Sequence, residues 1–281
     1  MLGKANFLRR AIRALDHLKL QVSQVLIPPG QPAVRQISVM GKQLLVLANE
    51  DVGRYINVLG NYEDTDATYL RKVIRPTDIC FDIGANIGYF SLLMALAAYR
   101  GTVYAFEPLP LNFHLIAATA EVNRLPIVAS CCAVSDVDGD VSFSESIDSA
   151  YSSLIATGRK PELRKISVPA VTLAGFCKQH EIKRIDVMKI DVEGAEERVI
   201  RGGLQILSDP RAAPRLVMVE LYDGNLAAFG TSISRVVEVL KGLGYSAIVP
   251  LSEGLTEAYN LSHYNRVVNV FFVRDGIEGI S

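Results

Sequence analysis

Cys80-Phe81-Asp82-Ile83-Gly84-Ala85-Asn86-Ile87-Gly88-Tyr89-Phe90 opens the stretch that decides the fold, and Val103-Tyr104-Ala105-Phe106-Glu107-Pro108 closes it. An apolar strand runs into a glycine turn, a helix-like stretch follows, and a second strand ends on an acid. This is the order of a nucleotide-binding βαβ unit. Glycines let a backbone approach a ligand closely. The acid that ends the second strand can accept hydrogen bonds from both hydroxyls of a ribose. Gly88 and Glu107 lie 19 residues apart, near the roughly 20 that separate a glycine turn from a ribose-binding acid.

The turn itself reads G-x-N-x-G, not the G-x-G-x-x-G of a pyrophosphate loop. Asp82 stands two residues before the first glycine, where a carboxylate would repel a pyrophosphate. A ligand with an ammonium or sulfonium group suits it better. S-adenosylmethionine carries both, together with a ribose for Glu107. The bland alternative is a strand, a turn and a helix with no ligand.

Outward from this unit the chain alternates. Strands are expected at 78–82, 102–107, 127–133, 185–190 and 216–220. Helices are expected at 87–99, 110–123, 172–181, 194–202 and 231–242. Two final strands, 245–249 and 267–273, are joined without a helix. Alternating β and α over ~200 residues implies a doubly wound, mostly parallel sheet. A parallel final pair would need a helical crossover, so the last strand is expected to be antiparallel. Residues 136–165 are an insertion rich in Ser, Asp and Gly. Residues 51–75 are polar and mixed, with a short helix at 66–74.

At the amino end, Phe7, Leu8, Ile12, Leu15, Leu18, Val22, Val25 and Leu26 recur at helical spacing in a stretch rich in Lys and Arg. The expectation is a helix that packs on the core or on a second subunit, giving a homodimer. A transit peptide and weak contact with an anionic membrane surface are the alternatives. Gln36 to Leu47 alternates as a hairpin turning near Gly41. Residues 1–50 thus form an extension and 51–281 the main domain.

Of the 281 residues, 49% are hydrophobic and the net charge is −1. That balance leaves no basic footprint for a nucleic acid. The four cysteines lack metal-ligand spacing and read as buried thiols in a reducing compartment, the cytoplasm. There is no apolar run of membrane-spanning length.

Three blocks carry a resemblance: Asp82-Ile83-Gly84-Ala85-Asn86-Ile87-Gly88, then Ala105-Phe106-Glu107-Pro108, then Lys189-Ile190-Asp191-Val192-Glu193-Gly194-Ala195-Glu196. The chain resembles the FkbM family of S-adenosylmethionine-dependent methyltransferases over roughly residues 55–222. The resemblance implies a class I methyltransferase fold, seven strands in the order 3-2-1-4-5-7-6. It implies S-adenosylmethionine held by Asp82, Gly84, Ala85, Asn86, Gly88, Tyr89, Glu107, Pro108 and Asp191. Adenine would lie near Ala133, and Glu63 would take the cofactor's amino group. It further implies O-methylation of a small-molecule or glycan acceptor, a sugar or polyketide-like natural product.

Ligands of open α/β sheets bind outside the carboxyl ends of the strands, which brings Asp191, Glu193, Glu220 and Tyr222 to the reacting end. Lys189 and Asp191 share a strand face. Either a Lys189–Asp191 or a Lys189–Glu193 ion pair closes the sheet edge, or these residues act on the acceptor, and the two roles are compatible. An alcohol needs a base or a metal beside it. Asp191 and Glu220 are hard oxygen ligands suited to Mg²⁺ or another divalent cation. His263, in the loop 250–266, is an alternative base, although a lone loop histidine is equally a surface residue. Ser152 and Ser153 belong either to an acceptor wall or to a plain surface loop, and the acceptor is expected to be set by the carboxyl third. Three rivals stand beside this reading: an N-methyltransferase, a nicotinamide oxidoreductase disfavoured by Asp82, and a non-catalytic binding protein of the same fold.

Overall fold

The computed structural model describes residues 33–250, 256–258 and 267–274. The expected amino-terminal helix and His263 lie outside them. The chain begins with β1 (Val34–Val39) and β2 (Lys42–Leu47), then α1 (Asp51–Leu59) and α2 (Asp64–Val73). The βαβ unit follows as β3 (Ile79–Ile83), α3 (Tyr89–Ala97) and β4 (Thr102–Phe106), then α4 (Pro110–Asn123) and β5 (Ile127–Ser130). A second set of strands comes next: β6 (Ala133–Ser135), β7 (Gly139–Ser146) and β8 (Glu162–Thr172), leading into α5 (Leu173–Gln179). The chain returns to the main sheet with β9 (Val187–Ile190), α6 (Glu196–Gly202), α7 (Leu204–Leu207) and β10 (Leu216–Leu221). It ends with α8 (Asp223–Ala228), α9 (Ile233–Gly242), β11 (Tyr245–Pro250), β12 (Thr256–Ala258) and β13 (Val268–Arg274).

The main sheet runs β12-β11-β13-β10-β9-β3-β4-β5. Leaving out β12, this is the expected order 3-2-1-4-5-7-6. β13 is antiparallel to both β10 and β11, as the helix-free connection requires. The short β12 pairs with β11 and adds an eighth strand at that edge, a correction to the expected seven.

Alternate strand residues feed two separate cores, which is what a sheet covered on both faces demands. Phe81, Ile83, Met188, Ile190, Val217 and Val219 pack on one face with Phe176, Val199 and Val236 of α5, α6 and α9. Cys80, Val187, Leu216 and Met218 pack on the other with Leu92, Leu93 and Leu70. The β1–β2 hairpin joins this second core through Leu44 and Val46. It is tied to α4 by bonds from Gln43 N to Asn123 Oδ1 (2.9 Å) and Leu45 N to Thr119 Oγ1 (3.2 Å).

Three expectations need correction. The strand expected at 127–133 ends at Ser130, and the chain leaves the sheet through Cys131 and Cys132. Ala133 therefore belongs to β6, which pairs with β8 in a separate three-stranded sheet. The insertion, where no strands are expected, contains two. β7 and β8 form a long antiparallel hairpin, with Phe143, Val168 and Ala170 buried beneath it. The polar stretch after the hairpin contains α1, which buries Ile56 and stops where Gly60 adopts a left-handed φ of 78°.

Candidate active site

Glycine at position 84 is dictated by a neighbouring strand. Its φ is 78°, and a Cβ there would meet the Asp191 carbonyl well inside 3.0 Å. The tight turn lets β3 and β9 end side by side. Its close approach is to the Asp191 backbone. Gly88 (φ 84°) instead faces the Ile116 side chain, whose nearest carbon would lie 3.0 Å from a Cβ.

Over these strand ends lies a cavity of about 340 Å³. Its lining includes Gly84, Ala85 and Asn86, then Glu107 and Pro108, then Cys132 and Ala133, together with Asp191, Glu193, Glu220, Glu63, Tyr89 and Lys189. Asp82 and Gly88 do not line it. Thus Asp191, Lys189, Glu63, Gly84, Ala85, Asn86, Tyr89, Glu107, Pro108, Ala133 and Glu220 converge on one space.

Glu107 is fixed by its own turn. Oε2 accepts from Asn86 N (2.9 Å) and Oε1 from Leu109 N (3.0 Å). Each oxygen keeps a second lone pair for a ligand. Burial raises its carboxyl to about 8, against the pull of those two N–H groups.

Lys189 is almost fully buried, and its Nζ donates to Asp191 Oδ2 at 2.8 Å. It lies 3.9 Å from Asp82 Oδ1 and 5.1 Å from the centre of the Phe90 ring. Burial opposes its charge, but Asp191 and Asp82 outweigh burial and hold the ammonium well above the ordinary lysine value. Asp82 also accepts from Ser91 Oγ at 2.5 Å. Its carboxylate faces Lys189 and Ser91 rather than the cavity, because β3 aims it at the α3 side, where Ser91 lies. Of the expected pairings, the structure has Lys189–Asp191.

One carboxylate oxygen each from Asp191, Glu193 and Glu220 lies within 4.8 Å of the others. Burial and then the charges of Asp191 and Glu193 raise Glu220 well above the ordinary carboxyl range. Burial and Asp191 raise Glu193 to about 8, although Arg159 opposes this with bonds of 2.8 and 3.2 Å from its Nη1. Asn225 Nδ2 donates to the same carboxylate. Glu63 sits at a left-handed φ of 47° and accepts from Asn269 Nδ2 at 2.9 Å. Burial and then repulsion by Asp191 raise it to about 7.

A methyltransferase FkbM domain matches residues 82–247. The chain belongs to the FkbM methyltransferase family. It is 32% identical to the 31-O-demethyl-FK506 methyltransferase FkbM of Streptomyces tacrolimicus, over 70% of this chain and 85% of that one. It is 23% identical to the hexuronic acid methyltransferase AglP of Haloferax volcanii, over 77% and 83%. It is 28% identical to the 2-O-methyltransferase NoeI of Sinorhizobium fredii, over 54% and 68%. The protein is therefore a methyltransferase. No helix among the described residues is long and apolar enough to cross a membrane.

In this FkbM domain, sequence reasoning missed Arg159, Tyr151 and Asn269. Asn269 lies directly across from Glu220 on the neighbouring strand, and its amide spans Glu63 and Asp66 (3.1 Å). Only the antiparallel register reveals it. Arg159 and Tyr151 arrive from the insertion. Ser153 Oγ donates to Val192 O at 2.8 Å and Ser152 lines the cavity, so this loop is part of the wall rather than plain surface.

Proposed function

We propose that the protein moves a methyl group from S-adenosylmethionine to an acceptor hydroxyl, the acceptor being a sugar, a glycan or a sugar-like natural product. The observation that carries this reading is one cavity lined both by Glu107 with the Gly84–Asn86 turn and by the clustered carboxyls of Asp191, Glu193 and Glu220. The residues fit the donor. Glu107 keeps lone pairs for two ribose hydroxyls, and Ala133 and Pro108 offer small apolar walls for a base. Glu63 offers a carboxyl for an ammonium, and the surplus of acids favours a cationic ligand.

When bound, S-adenosylmethionine supplies a methyl group activated by its sulfonium, so the protein's task is alignment and proton removal. Lys189 fixes Asp191 by one oxygen. Asp191 Oδ1 makes no hydrogen bond among the described residues and can accept the proton of an acceptor hydroxyl. Asp82 keeps Lys189 charged from behind. Asp191, Glu193 and Glu220 also fit a divalent cation, which takes oxygen ligands. Such an ion would polarise the acceptor hydroxyl. The names of three relatives specify a 31-O-demethyl substrate, a hexuronic acid and a 2-O position, which agrees with an oxygen acceptor.

The test is transfer of label from methyl-labelled S-adenosylmethionine to a panel of glycans and macrolides, with the product mapped by mass spectrometry. An O-methylated product is expected. Label found only on nitrogen would overturn the reading, and turnover lost to a chelator and restored by Mg²⁺ would establish the ion.

A further inference from the structure

The tip of the β7–β8 hairpin, residues 147–161, is anchored against the cavity, and Ser149 Oγ accepts from Asn86 Nδ2 (3.3 Å) and Asn112 Nδ2 (3.0 Å). Asp51 N donates to Asp148 Oδ2 at 2.9 Å, Ser149 N to Glu50 Oε2 at 3.0 Å, and Ser153 Oγ to Val192 O at 2.8 Å. The anchored tip carries Tyr151 and Arg159 into the cavity wall. The Arg159 guanidinium carbon lies 4.6 Å from the centre of the Tyr151 ring and 5.3 Å from that of Tyr222, just beyond β10. Its Nη1 binds Glu193. Its Nε and Nη2 make no hydrogen bond among the described residues. Tyr151 is itself set by its hydroxyl, which donates to Asp51 Oδ2 at 3.1 Å.

Guanidinium donors in a fixed fork suit a pair of neighbouring oxygens. Aromatic rings offer faces to apolar C–H groups. The charge around the fork selects among ligands. A carboxylate or phosphate would add to the crowding of Asp191, Glu193 and Glu220, whose oxygens already lie within 4.8 Å of one another, and a wholly apolar ring would strip water from Arg159 with no replacement partner. A neutral ring with adjacent hydroxyls satisfies both. We propose that Arg159, braced against Tyr222, and Tyr151 form an acceptor subsite for a sugar ring, with the free donors of Arg159 taking a vicinal pair of hydroxyls. This rests on the hydroxyl-methylation reading and moves acceptor choice from the carboxyl third to the insertion. The site is built before the ligand arrives, so little ordering cost falls on binding.

The test uses the whole chain saturated with S-adenosylhomocysteine. Binding of methyl α-D-glucopyranoside, methyl α-D-mannopyranoside and methyl α-L-rhamnopyranoside is followed by saturation-transfer NMR, with cyclohexanol as the apolar control. At least one glycoside is expected to bind, and cyclohexanol is not. Arg159→Lys keeps the charge beside Glu193 but loses the fork, and should weaken the glycoside tenfold or more. Tyr151→Leu should weaken it at least threefold, and both variants should bind S-adenosylhomocysteine as the wild type does. Three results would overturn the subsite: no glycoside bound by the wild type, unchanged glycoside affinity in Arg159→Lys, or loss of S-adenosylhomocysteine binding in both variants. Wild-type binding of S-adenosylhomocysteine reports separately on the methyl-transfer reading, and its absence would count against that reading rather than against the subsite.

Discussion

Lys189 Nζ, on β9, lies 2.8 Å from Oδ2 of Asp191, the first residue beyond that strand, and Lys189 is almost wholly removed from water. A buried ammonium with one partner removed is costly, by roughly 3–5 kcal/mol where nothing replaces the partner. Here Asp82 stands 3.9 Å away on the adjacent strand and remains when Asp191 changes. Asp191→Asn also keeps an oxygen that can accept from Lys189. The variant is therefore expected to fold, with a stability loss of about 1–2 kcal/mol, and to lose turnover by ~100-fold as the proton acceptor disappears. Urea unfolding and single-turnover rates separate the two effects. A variant that fails to fold would make Asp191 purely structural.

Gly84→Ala tests the close approach of two strand ends. The new methyl would meet the Asp191 carbonyl from a backbone with φ of 78°. Left-handed strain and overpacking together cost ~2–5 kcal/mol. A lower unfolding midpoint is expected in the free protein, with no ligand added. Equal midpoints would show that the turn relaxes freely.

Much of this was legible in sequence, and the legible parts share a cause. Strand and helix periods in Ile79–Phe106 are set by burial on both sheet faces, so local pattern and tertiary demand coincide. The missed α1 had a signal: Val52, Tyr55, Ile56 and Leu59 recur at helical spacing before Gly60. Polar neighbours obscured it. Val141, Phe143, Ile166 and Val168 likewise alternate on β7 and β8. Arg159 and Asn269 gave no local signal, because their roles arise from contacts 34 and 206 residues away in the chain. Asp82 was read as facing a ligand because its strand-end position was visible, whereas its burial against Lys189 and Ser91 depends on how β9 and α3 pack.

Glu107→Ala removes the acceptor of two backbone N–H groups as well as the proposed ribose contact. Cofactor affinity is expected to fall by ~1–3 kcal/mol. Glu107→Gln keeps one acceptor oxygen and should lose less. Calorimetry with S-adenosylmethionine measures both, and unchanged affinity in the alanine variant would place Glu107 outside the binding site.

Stability of the free protein is expected to decline as the solution becomes more alkaline. Burial raises Glu63 and Glu196 to about 7 and Glu107 to about 8, from an ordinary value of 4.5. Each raised carboxyl holds its proton more tightly in the folded chain than in the unfolded one. Its contribution is complete below about 4.5 and is lost as pH climbs through 7 to 8. Thermal midpoints measured without cofactor should therefore drop by ~2 °C or more between pH 6 and pH 8.5. Saturating S-adenosylmethionine should shrink that drop, since a bound cation favours the ionised carboxylates. A midpoint that rises over this range would mean that these three carboxyls are already ionised in the folded chain.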